Sequence, residues 1–473
     1  MSIYVIPEEY YFRIHHVRPR FKNDIENVLF YVAEEIVSVG LQEKDEFVKR
    51  LNSALFRYPG NAHRALKTIN NWRTEISSLF GFIEHYGDKE GPARRAIELA
   101  EKQDLVEFFK VFLYTFQYPG AHVKSQYILE QIVHGIKFKP AQYILKVLKE
   151  ANKNGGNAIG ITKGEVCHCI FNDLRVTRDN EGAEKTWARI TENRRCHCEY
   201  DMTGDVVRYA SDIMDYMEIA NLLKTYDGIT FYLNTLEEEA IIKFIESTEW
   251  FSGYDEMIAA HSSTTTAIAS KSFDWFKYVN RDLGETDFST DILAYIAEDE
   301  NQLSDLKSKP LDEEIAAYFE DNKELSTKNI GDLGECLVHA HECMRVKIGG
   351  RPDLIHLIKR IPTQFAVGYD INSVELDERK RFIEVKTTIS ARPLHFNRVH
   401  MTKNEWNAAE TTRDRYFVYR LLLSKKERKL FLLQDPVGLY KNDKINMVPN
   451  DGADITFDTN IVGRFEELLA WAN

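Results

Sequence analysis

The sequence predicts a multidomain protein in which a mainly α-helical N-terminal half is joined to a C-terminal α/β domain with a mixed sheet. Three observations predict it. The chain has 473 residues, too many for one ordinary hydrophobic core. Residues 1–150 carry apolar side chains at three- and four-residue spacings, the period of amphipathic helices. From residue 365 onward the pattern becomes short alternating runs rich in Val, Ile, Phe and Tyr, the period of strands.

In chain order, helical spacing covers residues 24–39, 44–56 and 91–118. Between them, residues 61–82 read as two short helices meeting near Gly81, compatible with a helix-turn-helix or with a plain helical packing unit. This makes 1–150 a candidate DNA-recognition domain. After the loop Asn154-Gly155-Gly156-Asn157, Thr162-Lys163-Gly164-Glu165 forms a capping box that starts a helix reaching Phe171. A helix over 205–223 follows, then the turn Tyr226-Asp227-Gly228 leading into a strand at Ile229-Thr230-Phe231-Tyr232-Leu233. Helix, helix, glycine turn and strand is the order of a winged helix, so 151–234 reads as a winged-helix-like DNA-binding domain. Arg175, Arg178, Arg194 and Arg195 are its candidate phosphate contacts, and Arg73 is one in residues 1–150.

Residues 235–328 read as an acidic helical connector. From 235 to 330 there are 22 acidic and 8 basic residues, which accounts for the net charge of −13 of the whole chain. From 370 to 429 the balance reverses, with 14 basic and 9 acidic residues. Charge sign by segment governs attraction to a polyanion, so the overall acidity does not exclude DNA.

The last block, 329–473, opens with a helix that carries Glu335 in its first turn. Strands are expected at 365–371, 381–388, 416–423 and 429–434, with a helix at 402–409 between them. The first two strands are joined by a polar turn at 375–380. Period-2 geometry puts Glu384 and Lys386 on one face of the second strand, with Asp370 nearby on the first. Two carboxylates buried on one sheet face need a counter-charge. Asp370, Glu384 and the main-chain carbonyl of Val385 form an oxygen set suited to Mg²⁺ or Mn²⁺, and Lys386 could orient or deprotonate a water beside them. The plainer alternative is a solvated hairpin in which Glu384 and Lys386 form an exposed pair. Arg392 and Arg398, with His395 and His400, follow the second strand and are further candidate phosphate contacts.

Asp370 and Glu384-Val385-Lys386 resemble the PD-(D/E)XK nuclease signature. The C-terminal block resembles, more narrowly, the nuclease-like domain at the C-terminus of NO VEIN proteins and of bacterial restriction and defence proteins. The residues are Gly334-Glu335, Gly368-Tyr369-Asp370-Ile371, Ile383-Glu384-Val385-Lys386-Thr387, Met401-Thr402-Lys403-Asn404-Glu405-Trp406, Tyr416-Phe417-Val418-Tyr419-Arg420 and Asp435-Pro436-Val437, in that family's order. The resemblance implies a restriction-endonuclease-like core with Asp370 and Glu384 as metal ligands, Lys386 as the catalytic lysine and Glu335 as a helix-borne supporting acid. Residues 348–363, with Gly349-Gly350-Arg351-Pro352, are longer than usual for it and put the substrate type in question. The N-terminal half resembles the recognition regions of type IIS restriction enzymes at 73–82, 161–173 and 208–223. Together these imply a Mg²⁺- or Mn²⁺-dependent DNA endonuclease of a restriction or anti-phage kind. Double-strand cutting by such a site implies a homodimer or higher assembly. Two alternatives stay open: a catalytically silent DNA-binding or sensing module, and a nuclease for branched DNA or transposon ends.

Cys167-His168-Cys169 and Cys196-His197-Cys198 could hold a structural Zn²⁺, but Cys-x-Cys lacks the usual two-to-four-residue spacing and a helix with buried thiols explains the first pair better. His339, His341 and Cys343 read as packing groups beside Glu335. No Gly-x-x-x-x-Gly-Lys loop is present, which argues against an NTPase. The N-terminus lacks a signal-peptide pattern and no run of eighteen apolar residues occurs. The expectation is a prokaryotic cytoplasmic protein with no membrane association.

Overall fold

The computed structural model describes residues 3–153, 159–203, 205–284, 286–308, 330–362, 365–392, 394, 397–450 and 452–469. Where the sequence suggests boundaries at 150, 234 and 328, the chain forms two compact units. The first is Met1–Glu101 with Leu105–Phe288, and the second is Lys102–Asp104 with Ser289–Asn473. The sequence boundary at 328 lies outside the described residues.

The first unit contains the same arrangement twice. After helix Ile25–Val39, strand β1 (Gln42–Glu43) leads into helices Lys44–Arg57 and Leu66–Glu75. The second continues as a π turn, Ile76–Phe80, and the hairpin of β2 (Ile83–Tyr86) and β3 (Lys89–Pro92) follows. The strand order is β1-β3-β2, all antiparallel. In the second copy β4 (Ile161–Thr162) precedes helices Lys163–Val166, Ala183–Arg195 and Asp205–Ile219. The hairpin of β5 (Leu223–Thr225) and β6 (Thr230–Leu233) closes it, in the order β4-β6-β5. No fixed period in the sequence betrays this duplication, because what repeats is topology. The capping box at Thr162 and Glu165 forms as expected, and the helix it starts widens into a π turn over Cys167–Phe171.

Three sequence expectations change here. The helix expected over 91–118 is a strand end followed by two helices, Arg94–Lys102 and Leu105–Thr115. It breaks at Gln103, whose φ of 53° no helix accommodates. The boundary at 150 disappears because helix Pro140–Ala151 packs against the helices Ala183–Arg195 and Glu238–Glu246. The stretch 235–288 is core rather than connector. Phe251, Tyr254, Ile258, Ile268, Trp275 and Val279 close a buried cluster with Val123, Ile128 and Ile132. Lys110 Nζ pairs with Glu237 at 2.7 Å, and Gln117 exchanges hydrogen bonds with the Phe251 backbone. Aromatic burial of this extent outweighs an acidic surface in deciding where a segment packs.

The second unit is built on a six-stranded sheet with β7 (Lys359–Arg360), β8 (Ile371–Val374), β9 (Lys380–Ile389), β11 (Tyr416–Leu423), β12 (Arg428–Gln434) and β15 (Arg464–Glu467). Its order is β15-β12-β11-β9-β8-β7. β9 and β11 are parallel and every other pair is antiparallel, so the sheet is mixed. A second sheet, β10-β14-β13, uses Arg398–Thr402, Gly452–Thr456 and Asn446–Pro449.

Side chains sort by parity. Arg381, Ile383, Val385 and Thr387 share the face against helix Ile330–Ile348; Phe382, Glu384 and Lys386 share the other, toward helix Lys403–Thr412. Gly334 fixes the first contact: a Cβ there would lie 1.8 Å from Thr387 Oγ1, so only glycine lets this helix lie directly on β9. The strand expected at 365–371 begins only at Ile371. Gly368 at φ 81° turns the chain first, where a Cβ would lie 2.3 Å from the Asn404 carbonyl. Among the described residues no helix is long and apolar enough to cross a membrane.

Candidate active site

The parallel register of β9 with β11 sets Glu384 beside Val418 and Lys386 beside Arg420 on one face. Antiparallel pairing of Ile371 with Ile383 brings Asp370 alongside, its N–H on the Ile383 carbonyl at 2.9 Å. The Asp370 side chain accepts the Val385 N–H at Oδ2, 2.8 Å away. Lys386 Nζ donates to Glu384 Oε1 at 2.6 Å and to Glu405 Oε1 at 3.0 Å. Asp370, Glu384 and Lys386, singled out from strand parity and the expected hairpin, therefore converge. Glu384 is 5% exposed and the Lys386 side chain 29%, which excludes the exposed hairpin pair.

Glu335 sits at the edge of this group, in the second turn of the described helix Ile330–Ile348 rather than the expected first. Its Oε2 accepts Arg360 Nη2 at 2.6 Å and Nε at 3.2 Å, while Arg360 Nη1 lies 2.9 Å from Cys336 Sγ.

The acids crowd one another. Burial raises the Glu384 carboxyl well above its usual range against the pull of Lys386, and Asp370 and Glu405 push the same way. Burial raises Asp370 too, partly offset by the Val385 N–H. Burial, then Asp370, pushes Glu335 up to about 7 in spite of Arg360. The two carboxylates on Lys386 outweigh its desolvation and hold its proton. A buried cluster short of positive charge suits a cation. Among the described residues no three His, Cys, Asp or Glu side chains converge as a metal cage. Two carboxylates with a main-chain carbonyl are nonetheless a fitting oxygen set for Mg²⁺, which keeps much of its water.

Two participants escape the sequence reading. Glu405 is 8% exposed, and its Oε2 accepts the Thr402 N–H at 3.1 Å while Thr402 Oγ1 accepts the Glu405 N–H: a capping box that aims the other oxygen at Lys386. The Thr-x-x-Glu spacing was a signal for the cap, but nothing in it points to Lys386. Arg360 lies 25 residues from Glu335, and no local pattern joins them.

Most of the candidate DNA-contacting arginines hold acids of their own unit. Arg175 grips the fully buried Asp173 through Nε and Nη2, Arg194 grips Glu165, and Arg398 holds Asp454 at 2.8 Å. These three serve the fold, because a buried carboxylate left unpaired is costly. Arg178 and Arg195 pair with the neighbouring Asp179 and Glu192 near the surface, where such pairs contribute little. Arg73 bonds Asn52 and Asn70, and Arg392 is exposed; His395 lies outside the described residues. Cys167 and Cys169 are buried free thiols, whereas Cys196 is exposed and bonds Glu192.

Residues 4–276 match the family model for the N-terminal part of restriction endonuclease BpuJI, and residues 334–433 match that for the C-terminal part of protein NO VEIN. The chain is also similar to a solved structure described as pyrene- and phenanthrene-modified DNA in complex with the BpuJ1 endonuclease binding domain. That similarity has 25% sequence identity and a TM-score of 0.52, covering 59% of this chain and all of that one. No curated protein matches.

Proposed function

We propose that this chain, which belongs to the family of the restriction endonuclease BpuJI N-terminal domain, is a metal-dependent DNA endonuclease of a restriction or anti-phage kind. One observation carries the reading. Asp370, Glu384 and Lys386 converge, Glu384 buried and the other two half-buried, inside the segment similar to the NO VEIN C-terminal domain. The N-terminal unit finds double-stranded DNA, with its two helix-and-hairpin copies acting as winged helices. The C-terminal unit, a PD-(D/E)XK fold, cuts.

Asp370, Glu384 and the Val385 carbonyl would hold Mg²⁺ or Mn²⁺. When bound, such an ion acidifies a water and polarises the scissile phosphate. Lys386, kept protonated by Glu384 and Glu405, neutralises charge that grows on the phosphoryl oxygens and orients the attacking water. Glu405 holds the ammonium in place. Each chain has one such site and cuts one strand, so double-strand cleavage uses a homodimer in the prokaryotic cytoplasm.

The test is incubation of the purified protein with unmodified and methylated phage DNA in Mg²⁺, Mn²⁺ or EDTA. Discrete fragments in the first two, and none in EDTA, are expected. Metal-independent binding with no cleavage of any DNA, linear or branched, would make the chain a silent sensing module. Glu405→Gln separates the two duties of Glu405. Glutamine at this helix position still completes a capping box, so the melting temperature should hold while cleavage slows by about tenfold, as expected for losing one charged hydrogen-bond partner.

A further inference from the structure

We propose that Arg360 stands where a second cation would sit beside Glu335, so that this site takes a single divalent ion. The inference rests on the nuclease reading of the site and specifies how many ions it holds.

Arg360 presents Nη2 and Nε to the same oxygen of Glu335, at 2.6 and 3.2 Å, and both side chains are nearly buried, 12% and 14% exposed. A guanidinium so seated takes up that oxygen of Glu335 and fixes a positive charge beside the carboxylate that it cannot give up, which opposes a second cation there. It is also firmly placed. Arg360 ends β7 opposite Ile371, and the next residue, Ile361, donates its N–H to the Asp370 carbonyl at 2.7 Å. The arginine is thus tied to the strand that begins next to Asp370, and its third nitrogen lies 2.9 Å from Cys336 Sγ.

Charge balance points the same way. Once ionised around a bound cation, Glu335, Asp370, Glu384 and Glu405 bring four negative charges, and Lys386 and Arg360 bring two positive ones. One divalent ion balances the remainder; two would leave the group positive before any phosphate arrives. Asp332, 4.0 Å from Arg360 and 35% exposed, is at the solvated rim and adds little.

The test counts ions rather than cleavage. Mn²⁺ titrated into the full-length protein, with free ion followed by electron paramagnetic resonance, should give one bound ion per chain, lost in Asp370→Asn. Arg360→Met, which keeps the side chain's length and removes its charge, should raise the count to two, and Arg360→Lys should leave it at one. Should Arg360→Met not fold, Glu335→Gln decides: its count stays at one if Glu335 is no ligand. Two ions in the unaltered protein, falling to one in Glu335→Gln, would overturn the inference, as would a single ion in folded Arg360→Met. Absence of any Asp370-dependent ion would overturn the nuclease reading of the site itself, and the inference with it.

Discussion

Lys386→Ala should lower the rate of DNA cleavage by about a thousandfold and leave DNA binding unchanged. The ammonium is the positive group shared by Glu384 and Glu405 on the face that carries the acids. Removing it takes away the charge that meets the phosphoryl oxygens and the group that orients water, and each such loss is worth about 10²- to 10⁴-fold. It also leaves two buried carboxylates facing one another without a counter-charge, so Mn²⁺ should bind no more weakly than before. The expected signature is therefore a fall in turnover without a fall in affinity for DNA or ion. Single-turnover cleavage, gel-shift binding and a melting curve measure the three parts. Cleavage within tenfold of the unaltered protein would mean that Lys386 is not the catalytic lysine.

How much of this site the sequence disclosed depends on how local each contact is. Glu384 and Lys386 are two apart on one strand, and strand parity alone puts them together. Asp370 needed only a hairpin whose turn, 375–380, is polar enough to see; Glu375 and Arg379 close it. Glu405 required knowing that helix Lys403–Thr412 lies over the Glu384 face, a packing fact that its own capping box does not contain. Arg360 required the pairing of β7 with β8, and β7 is two residues long. The same holds for the fold. Helix periods at 25–39 and 44–57 were legible because the first leaves one narrow stripe, at Asn27, Tyr31 and Glu34, out of the core, and the second buries one, at Phe47, Leu51, Ala54 and Leu55. The break at Gln103 was not, because Gln103 takes its hydrogen bonds from β9 and β11: its carbonyl accepts the Ile389 N–H, and its amide oxygen accepts Arg420. The acidic count over 235–330 described a surface and concealed a core, since Phe251, Tyr254 and Trp275 bury whatever the charge of their neighbours.

The largest loss of stability should come from the opposite face of the same sheet. Glu342, fully buried on helix Ile330–Ile348, accepts Ser373 Oγ at 2.6 Å, Arg345 Nη2 at 2.8 Å and Tyr419 OH at 2.9 Å, with Arg381 Nη1 at 3.4 Å. Arg381 is itself 1% exposed, lies over the Phe417 ring and bonds Tyr419 OH. Glu342→Ala leaves that guanidinium with the partly exposed Glu375, 3.4 Å away, as its ion-pair partner among the described residues, and should cost about 3–5 kcal/mol of unfolding free energy. Burial alone would raise the Glu342 carboxyl, but Arg381 and then Arg345 outweigh it and bring it down to about 2. Its folded value is below its unfolded one, so its contribution is complete above pH 4.5 and is lost as pH falls toward 2. The shift corresponds to roughly 3 kcal/mol, in line with the substitution. Urea unfolding of the unaltered protein and of Glu342→Ala, followed at pH 7 and at pH 2, measures both. Replacing Glu342 and Arg381 together by methionine should recover much of the loss, because a buried ion pair exchanged whole for apolar side chains is often neutral. Failure of the double substitution to recover stability would show that Ser373, Tyr419 and Arg345 depend on the carboxylate more than Arg381 does.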